Sequence, residues 1–104
     1  MFEELLGQIA NSNSKNVRQQ LMDSVKTEFA DCKEPLDVWA KLSRLGYSVD
    51  FTICQSIYTY VNYGKINELM KVYNLPLIMN RKDYEVKLVS ALSELASRKS
   101  PRYA

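Results

Sequence analysis

No histidine occurs anywhere in the 104 residues. Imidazole is the commonest general base near neutral pH and the commonest metal ligand, so both roles are removed together. The thiols are Cys32 and Cys54. Neither stands in a recognisable nucleophile motif, and two thiolates without imidazole do not complete a four-ligand zinc site. Their plain role is that of small, buried, reduced side chains; a bridge between them depends on geometry rather than on spacing. The acidic pairs Glu3/Glu4 and Asp31/Glu34 have the residue types of an acid–base couple. Carboxylates in those places ordinarily stabilise the starts of helices or lie on solvated faces. The three glycines, Gly7, Gly46 and Gly64, are too far apart to build a phosphate loop. The expectation is a chain that performs no catalysis and holds no metal or cofactor.

Two surfaces carry residues suited to binding. The first lies on the uncharged run from Phe51 to Gly64. It holds Gln55, Tyr58, Thr59, Tyr60 and Tyr63, and tyrosine supplies contact area with a polar tip at low entropic cost. The opposing reading is a central helix hidden by its neighbours. The second surface is the apolar connector from Leu75, in which Leu77, Ile78 and Met79 either plug the core or form an exposed patch.

A third set could meet nucleic acid: Lys82, Lys87, Arg98, Lys99 and Arg102, with Tyr103 placed to stack. The first 50 residues hold six basic and eight acidic side chains, and the remainder hold eight and four. That asymmetry permits a polyanion partner without requiring one. A helix-turn-helix through Gly46 is poorly supported, because Phe51 to Tyr63 contains no lysine or arginine to meet phosphate.

The elements that position these residues are helical. Phe2, Leu5, Leu6 and Ile9 mark one apolar face over about Phe2 to Ala10, and Asn11–Asn13 breaks it. Ser14 caps a second helix to about Ala30, with Val17, Leu21, Val25 and Phe29 inward. Pro35 starts a third, whose apolar stripe is Leu36, Trp39 and Leu42 with Val38 and Leu45. Gly46 closes it in a left-handed turn, with Tyr47 making the accompanying apolar contact.

Asp50 caps a fourth helix that ends at Gly64, and Val49 is placed to staple onto Cys54. Phe51, Cys54, Ile57, Tyr58 and Val61 keep the helical period, which favours helix over strand despite the β-branched content. A fifth, shorter helix covers Lys65 to Tyr73, stopped by Pro76. Asn80 caps the last, about Arg81 to Ser97, with Tyr84, Leu88, Leu92 and Leu95 inward.

The reading is an all-α fold, a small bundle or orthogonal array of five to six short helices. Residues 1–97 form one domain and 98–104 a flexible basic tail. The N-terminus carries acid where a signal peptide needs base. The fourteen uncharged residues from Phe51 fall short of the roughly 20 that span a bilayer. No membrane span is expected, and the chain reads as cytoplasmic. Its function follows as a small helical regulator or inhibitor that binds another protein or a second copy of itself. Phage and viral proteins aimed at host or lysis machinery supply the prior for such chains. A nucleic-acid-binding regulator is the alternative, and no small-molecule substrate is expected.

Overall fold

The computed structural model describes residues 2–9, 14–76 and 80–98. Over them the chain is all-α, with five helices: α1 (Phe2–Ile9), α2 (Lys15–Glu28), α3 (Pro35–Arg44), α4 (Phe51–Val72) and α5 (Arg81–Ala96). Each start is set by local chemistry. Ser14 accepts a hydrogen bond from the Val17 amide at 3.5 Å, and Asp50 accepts one from the Ile53 amide at 3.0 Å. Asn80 and Asp83 close a reciprocal capping box at 2.9 and 3.3 Å. These contacts satisfy amides that have no partner inside the helix. Pro35 opens α3, where its missing N–H costs nothing.

Two helices close on left-handed residues. Gly46 has φ of 94°; its amide donates to Ser43 O, and the Tyr47 amide reaches back to Leu42 O, both at 3.0 Å. Tyr47 is buried beside that turn, as the apolar pattern predicts. Asn74, with φ of 54°, does the same for α4: its amide donates to Lys71 O at 3.1 Å, and the Leu75 amide donates to Met70 O at 2.8 Å.

That second closure corrects the sequence reading. Gly64 does not end a helix, and the expected fourth and fifth helices are one continuous rod of 22 residues. Glycine lowers helix stability without forbidding helix, and the segment after it, Lys-Ile-Asn-Glu-Leu-Met-Lys, is rich in good formers. The terminator is Asn74, the other residue that tolerates the left-handed region.

The core gathers Phe2, Leu5 and Leu6 of α1, Leu21, Met22 and Val25 of α2, Val38 and Leu42 of α3, Ile53, Cys54, Ile57 and Tyr60 of α4, and Leu88, Ala91, Leu92 and Leu95 of α5. Phe29 joins them and meets Phe2 edge to face, with ring centroids 5.4 Å apart. α4 and α5 run antiparallel, since Tyr63 lies against Tyr84 while Asp50 meets Arg98. α3 packs on α4.

All residues of α4 that are buried precede Gly64. Beyond it, Leu69 and Val72 are exposed, as are Tyr73 and Leu75 after the helix. The connector residues Leu77, Ile78 and Met79 lie outside the described residues, as do Ala10 to Asn13, Lys99, Arg102 and Tyr103. Arg98, assigned by sequence to a free tail, is anchored instead. Its carbonyl accepts from the Ser48 amide at 3.0 Å, and its guanidinium pairs with Glu94 and, at 3.5 Å, with Asp50.

Candidate functional site

Packing engages most of the tyrosine-bearing face of α4. Tyr60 is buried, and the loss of hydration pushes its phenol above the usual range. The Lys26 ammonium sits 5.4 Å from its ring centroid. Tyr58 is half-buried and donates its hydroxyl to Lys33 O at 2.8 Å, tying α4 to the loop before α3. Thr59 turns its hydroxyl back onto the Gln55 carbonyl of its own helix. Tyr63 packs on Tyr84 at 5.8 Å, with the Arg81 guanidinium at the same distance from its ring. Gln55 stays exposed. These residues mainly join α4 to its neighbours rather than form one open face.

The open apolar surface lies where the sequence placed core. Leu36 is 63% exposed, Trp39 47% and Phe51 65%. They were expected on the buried stripes of the third and fourth helices. α3 meets α4 through Val38 and Leu42, and no other described helix covers its far side, so Leu36 and Trp39 look outward. Phe51 is the first residue of α4 and overhangs the end of the helix pair.

Together with Pro35, Val49 and Cys54 these three side chains line a hollow of about 310 Å³. Val49 and Cys54, the expected staple, share its wall. The carboxylates next in sequence to this lining are Glu34, Asp37 and Asp50; Asp37 accepts from the Lys33 amide at 2.9 Å, and Asp50 pairs with Arg98 at 3.5 Å.

Cys54 forms the inner wall of this hollow and is buried and unbridged, as is Cys32. Burial pushes the Cys54 thiol up to about 11, with the Asp50 carboxylate adding to the effect, and burial also raises Cys32. Neither thiol is poised as a nucleophile, since the thiolate is the reactive form. Asp31 and Glu34 do not form a couple. Asp31 bonds Lys41 at 2.8 Å, which holds its carboxyl below the ordinary range and raises the lysine. Lys41 also donates to Glu28 O and lies over the Phe29 ring. Among the described residues no group of three or more Cys, Asp or Glu side chains is arranged to hold a metal.

The cations proposed for nucleic acid are divided. Lys87 lies toward α4, beside Thr52, Ser56 and Glu94. Lys82 faces α2 across a groove of about 410 Å³, whose floor is Met22, Val86 and Val89 and whose rim includes Lys15 and Arg18. Arg98 is held by carboxylates. The cluster of Lys15, Arg18 and Lys82 has no counterpart in the sequence reading, because Lys82 lies 64 or more residues from the other two, on a different helix.

Compared with known proteins, the chain matches no protein-family model, no curated protein and no solved structure. Within the described residues, no helix is long and apolar enough to cross a membrane.

Proposed function

We propose that this chain is a helical regulator or inhibitor that acts by docking on protein rather than by catalysis, through the surface of Leu36, Trp39 and Phe51. The observation that carries this reading is the exposure of those three side chains around one hollow between α3 and α4. Single exposed apolar residues are ordinary; a contiguous group beside a concavity marks a contact surface. Tryptophan is also among the residues that dominate binding energy when buried at the centre of an interface. Glu34 and Asp37, beside Pro35 and Leu36 in sequence, favour a partner whose apolar centre is rimmed by cations.

The test pairs Leu36→Asp with Phe51→Asp, both at exposed positions. Light scattering on the purified chain and capture from an extract of the native host read complex formation, and far-UV circular dichroism reads helicity. The reading is supported when the wild-type chain forms a complex, with itself or with a captured protein, that the variant loses while keeping its helices. It is overturned when the complex survives both substitutions, or when the wild-type chain forms none in either assay.

A further inference from the structure

The partner that fits this patch is present on the chain itself. The groove between α2 and α5 is the chemical converse of the patch: an apolar floor of Met22, Val86 and Val89 under three cations, Lys15, Arg18 and Lys82. No ion pair engages those three among the described residues. The acid on its rim, Glu85, is taken by Arg81 at 3.3 Å. Val86 is exposed. The patch offers the opposite charge in Glu34 and Asp37, next in sequence to Pro35 and Leu36 and engaged by no ion pair among the described residues, while Asp50 is taken by Arg98 at 3.5 Å.

The two surfaces are also well separated. α4 and α5 are antiparallel, and the start of α5 lies beside Tyr63, roughly 18 Å along α4 from Phe51. One molecule can therefore use both at once, and neither can reach the other within the same chain.

We infer that the chain self-associates head to tail, the Leu36–Trp39–Phe51 patch of one copy seating in the α2/α5 groove of the next. This rests on the patch being a docking surface, as proposed above, and names its partner. Because the two faces differ, the contact is heterologous. It repeats from copy to copy and generates a ring or an open chain rather than a symmetric pair. Opposite rims align the copies and disfavour patch-to-patch and groove-to-groove encounters.

The experiment separates the two halves of the contact. One variant, Leu36→Asp with Phe51→Asp, lacks the patch; the other, Lys15→Glu with Lys82→Glu, lacks the groove. All four positions are exposed, and far-UV circular dichroism verifies the fold. The single substitutions Leu36→Asp and Lys82→Glu replace any double variant that fails to fold. The weight-average mass of the wild type is expected to rise with concentration and to fall at an ionic strength of about 1 M, where charges are screened beyond about 3 Å.

Each variant alone is expected to stay monomeric at concentrations where the wild type associates, with affinity weakened about tenfold or more. Mixed in equal amounts, the two variants are expected to give a species of twice the monomer mass and nothing larger, since each retains one working surface. Carbodiimide cross-linking of the wild type, with one copy isotope-labelled, should join Lys15 or Lys82 to Glu34 or Asp37 between copies.

A wild type that stays monomeric to about 1 mM overturns the inference, as does a mixture that forms no dimer or a groove variant that associates like the wild type. If the patch still captures a different protein in those cases, the proposed function stands without this partner. If the patch variant associates and captures like the wild type, both fall.

Discussion

Replacing Gly64 by alanine is expected to stabilise the folded chain, although the sequence marks this glycine as a helix stop. In the structure Gly64 lies inside α4, exposed, and an added Cβ meets no atom within 4 Å. No packing penalty opposes the change, so the intrinsic difference in helix propensity remains, about 0.8–1.0 kcal/mol in favour of alanine. Part of that gain comes from the lower backbone entropy of the unfolded chain. For a domain near 100 residues, 1 kcal/mol moves the melting midpoint by about 4–8 °C, and the urea midpoint should rise by about 0.3–0.9 M.

The assay is equilibrium unfolding followed by far-UV circular dichroism and by emission of Trp39, the single tryptophan. Coincident transitions license the two-state treatment. A helix broken at Gly64 in a left-handed turn makes the opposite prediction, because alanine there carries a steric cost of about 1–2 kcal/mol. A lowered midpoint, or one that does not move, refutes the continuous α4.

Gly46→Ala tests the same reasoning with the sign reversed. Its φ of 94° is strained for any residue with a Cβ, so a loss of about 1–2 kcal/mol is expected in urea unfolding. Stability should also fall as the pH rises from about 9 toward 11: the unfolded Cys54 thiol ionises first while the folded thiol, pushed up to about 11, keeps its proton. Suppressed ionisation on that scale corresponds to a loss on the order of 2 kcal/mol. Tyr60 acts in the same direction, and urea midpoints for the wild type and Cys54→Ala across that range isolate the cysteine's share. Asn80→Ala removes the capping box of α5 and should cost about 1 kcal/mol. Leu92→Ala, at a fully buried position, should cost about 2–5 kcal/mol by calorimetry.

Much of the fold is legible residue by residue. The caps Ser14, Asp50 and Asn80, the Gly46 closure and the inner faces of α1 and α5 all follow from local chemistry, which depends on neighbours within four residues. The binding residues are less legible. Tyr58, Tyr60 and Tyr63 have the composition of an interface, yet their contacts with Lys33, Lys26, Tyr84 and Arg81 come from three other segments: the loop before α3, α2 and α5. Leu36, Trp39 and Phe51 read as core because helical periodicity records which residues share a face. It does not record whether another helix covers that face.

The amino-acid order by itself determined that this chain is helical, where most helices begin, and that imidazole chemistry is not available to it. Those properties reside in side-chain types and short-range hydrogen bonds. Tertiary structure alone decided that an apolar patch and a cationic groove lie open on different faces. Burial is a property of which helices meet, and the described helices cover the apolar residues of α1 and α2 while leaving Leu36, Trp39 and Phe51 of α3 and α4 without a neighbour.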